Sequence, residues 1–224
     1  MKFIGVTEGL IQHLREHIID GKLKPGQKLS EVELSSSLQT SRPPLREAFR
    51  VLSGEHLVDF VPRKGCFVSK ISMEDCLEIY QAREMLECFA IGLLGKKKIR
   101  KLPEVESALE TTATLILPVE DDPAKKFAYL KLIAEFHIKL VKSAGNTRLN
   151  SYYDSIFPIL ARYQSIYVFI RGLMDQSQHE HEHVLAHIEN GKYAAAQESI
   201  RNHIRAWPKL LEGHLREDKR TLND

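Results

Sequence analysis

Three histidines sit where a solvated histidine does not belong. His137 shares a helical stripe with Leu130, Ile133, Leu140 and Val141, and His181 shares one with Val184, Leu185 and Ile188. His203 falls in register with Ile200, Ile204, Trp207 and Leu210. Each therefore points inward, whereas His179, His183 and His187 lie on the opposite face from His181, so most of the run QHEHEH is solvent-facing. A single buried histidine is more often a hydrogen-bonded core residue than a ligand. Three of them on three helices of one bundle can meet. Arg83 also points inward, in line with Ile79, Tyr80, Leu86 and Ala90, and Glu87 one turn later can pair with it. A second group is cationic: Arg42, Arg46 and Arg50 form a stripe roughly 80° wide beside the apolar positions Leu45, Ala48, Phe49 and Leu52. Such a stripe is either an ordinary charged surface or a set of guanidinium groups for phosphates and base edges.

The elements that must position these residues divide into two kinds. From about Thr7 to Asp20 a helix buries Leu10, Ile11, Leu14 and Ile18, with Gly21 as its stop and Pro25-Gly26 as the turn that follows. A short helix starts near Ser30, with Glu33 completing a capping box and Val32, Leu34 and Leu38 on its buried side. The arginine-bearing helix comes next, with Pro44 as its first helical residue and Pro43 just outside. LVDFVP and CFVSK then read as a two-stranded hairpin with Arg63-Lys64-Gly65 at a basic tip. Three helices and a hairpin make the winged-helix order, which lays a helix in the major groove and a basic wing on the neighbouring backbone or minor groove.

After Ile71 the pattern is helical throughout, with helices expected at about 73–97, 103–117, 123–143, 147–171, 175–190 and 193–216. The expected architecture is mainly α: a winged helix-turn-helix over residues 1–71, then an antiparallel bundle of about six helices over 72–224. A formal net charge of +2 says little by itself, but the small positive excess lies in the first 70 residues. No run approaches the roughly 20 apolar residues of a membrane span, and the first residues lack the apolar stretch of a secretory signal, so a cytoplasmic protein is expected. Cys66, Cys76 and Cys88 are too widely spaced for a disulfide framework or a zinc knuckle and should be reduced and mostly buried.

The segments IIDGKLKPGQKLSEVELS, SRPPLREAFRVL and LVDFVPRKGCFV resemble, in order, the DNA-binding domain of GntR-family bacterial regulators. The stripe of Arg42, Arg46 and Arg50 on the second helix of this unit is expected to face DNA, and the resemblance implies that Arg42 and Arg46 read bases or clamp phosphates. It also implies that Ser41 touches phosphate and that Lys64 and Gly65 approach the minor groove. The glycines expected between the helices and after the recognition helix are Gln39 and His56, and Pro43 stands where a threonine is usual. EFHIKLVKSAGN, EHEHVLAHIENGKYAAAQESIRNHI and the Arg83/Glu87 pair resemble the helical ligand-binding (FCD) domain of the FadR-type branch. Many of its members hold a divalent metal on one Asp and three His. His137, His181 and His203 match the histidines, and Ile133 occupies the Asp position.

Three neutral imidazoles suit Zn²⁺ or Ni²⁺ with open positions for water or an acidic ligand, and Arg83 would supply the counter-charge to a carboxylate effector. The expectation is a homodimeric, non-enzymatic regulator, a repressor or an activator, on a palindromic double-stranded operator, controlled by a small organic acid. The alternatives are a metal-responsive regulator without an organic effector and a three-His metallohydrolase. The hydrolase lacks a placed general acid or base, because Glu135 lies off the His137 stripe and Glu87 is tied to Arg83.

Overall fold

A computed structural model of the chain describes residues 5–115, 122–166 and 173–221, with main chain alone for 173 and 214–221. It divides into two compact units, Met1–Ile71 with Glu120–Phe127 and Ser72–Val119 with Ala128–Asp224.

The first unit begins with α1 (Val6–Ile19), which buries Leu10, Leu14, Ile18 and Ile19 and packs on α3. Gly21, at φ +79°, turns the chain out of α1. Ser30 caps α2 (Glu31–Ser37) by accepting the Glu33 N–H, the first half of the expected capping box. The buried face of α2 is weaker than its sequence suggests: none of its residues is fully buried and Val32 is 58% exposed. Val32 stands two residues, about 200°, from Leu34, so the two cannot share one face of a single short helix.

α3 (Arg42–Gly54) buries Leu45, Ala48, Phe49 and Leu52 as its spacing requires. It starts two residues earlier than expected and takes both prolines into its first turn. The N–H groups of that turn have no partner within the helix, so Pro43 and Pro44 forfeit nothing there. Arg15 clamps the end of α3 to α1 through two bonds to Glu55, at 2.8 and 2.5 Å. Gln39 and His56 adopt left-handed backbone, φ +49° and +58°, so the conformation that favours glycine is kept without it.

The wing is β2 (Val58–Val61) and β3 (Gly65–Val68), antiparallel, with Arg63 left-handed at the tip. It is three-stranded and not a simple hairpin, because β1 (Lys28–Leu29) adds to the other edge of β3 with Leu29 opposite Cys66. Two residues are too few for a period to show, and their partner lies 37 or more positions downstream.

The remaining helices are α4 (Met73–Lys97), α5 (Pro103–Ala113), α6 (Pro123–Ser143), α7 (Thr147–Ser165), α8 (Leu173–Glu189) and α9 (Tyr193–Thr221), all in the second unit except the first five residues of α6. Ser72 caps α4, Asn146 caps α7, and Gly145 and Gly191 stop the helices before them with positive φ. The expected ends of α5 at 117 and of α7 at 171 lie outside the described residues. α4 packs on α7 and α9, α9 on α8, and α8 on α5. Leu86 and Ala90 of α4 meet Val141 of α6 and Leu149 and Tyr153 of α7 in one buried cluster, directly beside the inward polar residues. At the start of α4 the Tyr163 hydroxyl donates to Asp75 at 2.6 Å and accepts from the Ser72 N–H, joining α7 to α4. No described helix is long and apolar enough to cross a membrane. Cys66 and Cys76 are buried, Cys88 is half-buried, and all three are free thiols.

Candidate metal centre and nucleic-acid face

On α3, Arg42, Arg46 and Arg50 are all exposed, and Ser41 stands at the N-cap without using its side chain as a cap. The stripe is not composed of bare cations. Arg46 Nε bonds both oxygens of Glu31 at 3.0 and 2.9 Å, and Arg50 contacts Glu47 at 3.5 Å. With Arg46 still 63% exposed, such a pair stabilises by no more than about 1 kcal/mol and yields readily to a phosphate or a guanine edge. Lys64 lies in the exposed wing turn, where its N–H closes on the Val61 carbonyl, and Gly65 opens β3 at φ +111°. Glycine is needed there for its dihedral, since the nearest atom to an added Cβ is Lys28 Cε at an ordinary 3.6 Å.

The three inward histidines converge. His137 on α6, His181 on α8 and His203 on α9 are each at most 3% exposed, and one donor atom from each lies within 4.8 Å of the others. The outward histidines behave as their positions require: His179 and His183 are exposed and His187 is half-buried. Two of the inward rings are held by carboxylates. His137 Nδ1 donates to Glu87 at 2.8 Å and His203 Nδ1 donates to Glu180 at 2.7 Å, which leaves each Nε2 with its lone pair. His203 Nε2 then accepts from Trp207 Nε1 at 3.2 Å, and lies 3.2 Å from His181 Nε2, which must carry its proton for that contact to be a hydrogen bond. Phe136 stacks on the His181 ring at 4.1 Å.

Burial sets the charge state. It depresses all three imidazoles, His137 to about 3 with the Arg83 guanidinium adding to the effect against Glu87. At neutral pH the cluster presents three uncharged nitrogen ligands, the form a divalent cation requires.

Beside them Glu87 accepts three bonds, from Arg83 Nε at 2.7 Å, Tyr153 Oη at 2.8 Å and His137. Burial alone would raise its carboxyl, but His137 and Arg83 outweigh that and hold it well below the usual carboxylate range. The Arg83–Glu87 pair expected from their spacing is therefore present, and Arg83 Nη1 is left buried without a hydrogen-bond partner. A cavity of about 20 Å³ opens among the histidines, bounded also by Ile133, Gln164 and Ser177. Glu135 points elsewhere, toward Lys139 at 3.8 Å.

Four participants escape a reading by stripes: Glu87 as the anchor of His137, Glu180 as the anchor of His203, Trp207 as a donor, and Gln164. Glu180 and Gln164 each gave a faint signal. Glu180 directly precedes an inward histidine, and Gln164 is a polar residue one turn after buried Leu160.

Known proteins match this chain in both of its domains. The profile of "Bacterial regulatory proteins, gntR family" matches residues 6–68, and that of the "FCD domain" matches residues 78–206. The HTH-type transcriptional repressor GlaR of Escherichia coli (strain K12) is 28% identical over 202 residues, 85% of this chain and 89% of that protein. The uncharacterised HTH-type transcriptional regulator YdhC of Bacillus subtilis (strain 168) is 27% identical over 199 residues, 85% of this chain and 84% of its own. In fold, the chain is similar to a solved GntR transcriptional regulator from Rhodococcus sp. RHA1, with a TM-score of 0.72 at 22% identity, covering 92% of this chain and 97% of that one. These relatives are regulators and not enzymes, which sets the hydrolase alternative aside. With a winged head that matches one profile and a helical bundle that matches the other, the chain belongs to the gntR family of bacterial transcriptional regulators and carries an FCD domain.

Proposed function

We propose that the protein is a repressor that binds a palindromic operator as a homodimer and is controlled through the histidine cluster, where a Zn²⁺ or Ni²⁺ ion takes part in recognising a small carboxylate effector. The observation that carries this reading is the set of three buried, uncharged imidazoles, two of them oriented by carboxylates with their Nε2 lone pairs free of a proton. A divalent cation held by His137, His181 and His203 would offer its remaining positions to an acidic ligand. Arg83 contributes independently, because a buried guanidinium with one unpartnered N–H group favours an anion nearby. Dimerisation is supported by α4, which leaves Leu77, Met85 and Phe89 exposed along one side, Met85 at 65%. Repression rests on likeness to GlaR and to the gluconate operon transcriptional repressor of Bacillus licheniformis, 25% identical over 172 residues. A repressor of a bacterial operon works in the cytoplasm.

The cavity volume favours a second reading, a metal-responsive regulator with no organic effector, since about 20 Å³ accommodates a water and not a carboxylic acid. Thermal-shift measurements with Zn²⁺ or Ni²⁺, each with and without a panel of small carboxylates, separate the two. The first reading expects a carboxylate to raise the melting temperature further and to lower operator affinity, and the second expects the metal alone to do both. A melting temperature indifferent to either metal would overturn the two together.

The DNA face is tested separately. Arg46→Ala should weaken operator binding by about 1–3 kcal/mol and flatten the salt dependence, whereas Glu31→Ala, which frees Arg46, should strengthen binding. Fluorescence anisotropy across a salt series reads both, and an unchanged Arg46→Ala affinity would take α3 out of the groove.

A further inference from the structure

The histidine cluster supplies three donors, and the position four residues before His137 supplies none: Ile133 is buried against the cavity with only carbon to offer. The other oxygens within reach of the cluster are mostly committed. Glu87 and Glu180 are occupied by the Nδ1 atoms of His137 and His203, and Glu135 is turned toward Lys139. Gln164 differs. It reaches the same cavity from α7, is 9% exposed, and its Oε1 is shielded from solvent with no hydrogen-bond partner. An amide oxygen buried in that state costs about 1–3 kcal/mol, so its position calls for a partner inside the cavity. The partner cannot be Ile133, and the two neighbouring rings that are held by carboxylates carry Nε2 lone pairs and not protons, that of His203 accepting from Trp207. An oxygen acceptor and imidazole lone pairs around one small space repel each other unless a donor or a cation lies between them, and a cation satisfies all of them at once. Ser177 also borders the cavity, but a neutral hydroxyl is a poorer donor to a cation than an amide oxygen.

We infer that Gln164 Oε1 is the fourth protein donor of the metal centre, doing from α7 what a carboxylate at position 133 would do from α6. The inference rests on the metal reading above and extends it to a specific residue. It also changes the electrostatics: three neutral nitrogens and a neutral oxygen leave the double charge of the cation uncompensated by its direct ligands, where an aspartate would halve it. A centre of this composition attracts an anionic ligand more strongly than its aspartate counterpart.

The test uses the full-length protein and Co²⁺, followed by its visible absorption and by competition with a chelator. Wild type should take up one Co²⁺ per chain. Gln164→Leu should bind at least tenfold to a hundredfold more weakly, since even indirect partners of a metal cost that much, and its absorption bands should shift as an oxygen donor is lost. Gln164→Glu, of equal length and with a formal charge, should bind more tightly. Ile133→Asp should restore affinity to the Gln164→Leu chain, so that the two changes are far from additive. Identical affinity and spectra for wild type and Gln164→Leu would overturn the assignment while leaving a three-His centre in place. If the leucine variant fails to fold, an unchanged affinity for Gln164→Glu overturns it equally. Absence of Co²⁺ uptake by wild type would instead remove the metal reading and this inference with it.

Discussion

Replacing Glu87 with alanine should destabilise the helical unit by about 3–5 kcal/mol, the cost of leaving a buried cation without its counter-ion. Arg83 is 1% exposed and Glu87 is fully buried, so no water takes the place of the lost carboxylate. Three donors lose their acceptor at once: Arg83 Nε, the Tyr153 hydroxyl and His137 Nδ1. Glu87→Gln should fall between alanine and wild type, because the amide keeps the shape and one acceptor oxygen but not the charge. The double variant Arg83→Met, Glu87→Leu should be less damaged than Glu87→Ala, since removing both charges avoids an uncompensated one. Urea denaturation followed through Trp207, the chain's single tryptophan, reads the series in the unit concerned. A loss below about 1 kcal/mol for the alanine variant would mean that Arg83 finds another anion or reaches water, against the burial described above.

His203→Ala should lower zinc affinity by two to three decades. Structural zinc sites with four donors bind with roughly 10–16 kcal/mol, so one donor in four is worth about 2.5–4 kcal/mol. His203 also links the centre to an optical reporter. Its Nε2 lone pair accepts the indole N–H of Trp207 at 3.2 Å, and that is the lone pair a cation needs. Zinc binding must therefore strip the indole of its acceptor, and Trp207 emission should change on titration and return with a chelator. His203→Ala should abolish the change, whereas His183→Ala, on the exposed face of α8, should preserve it. Equal zinc affinity in wild type and His203→Ala would show that the histidines meet only to pack.

Long periodic segments were legible because a buried stripe repeats. α4 was expected at 73–97 and spans Met73–Lys97, with about five turns of inward residues and a Ser72 cap to mark its start. The same periodicity found His137, His181 and His203 one at a time. It could not find what joins them: Glu87 reaches His137 across 50 residues of chain, and no period connects two helices. β1 was missed because a two-residue strand exists only through its partner, and the start of α3 because the steric bias of a residue before proline against helical geometry is overridden at Arg42 and Pro43. Gln39 and His56 are the converse case. The fold demanded left-handed backbone there, and the surrounding packing imposed it on residues that pay sterically for it.

The cavity among the histidines has a consequence that goes beyond what binds in it. At about 20 Å³ it admits one water, while even a two-carbon acid needs several times that space. Any such ligand can occupy only an enlarged form of the bundle, and its apparent affinity is its intrinsic affinity reduced by the fraction of molecules that have already opened. The walls that must part belong to α6, α7, α8 and α9, so occupancy and rearrangement of those helices become one event. A pocket that held the ligand equally well in both forms would exert no such selection, because a molecule bound equally by both shifts neither. Tight closure around three histidines would let occupancy by such a ligand be felt elsewhere in the protein.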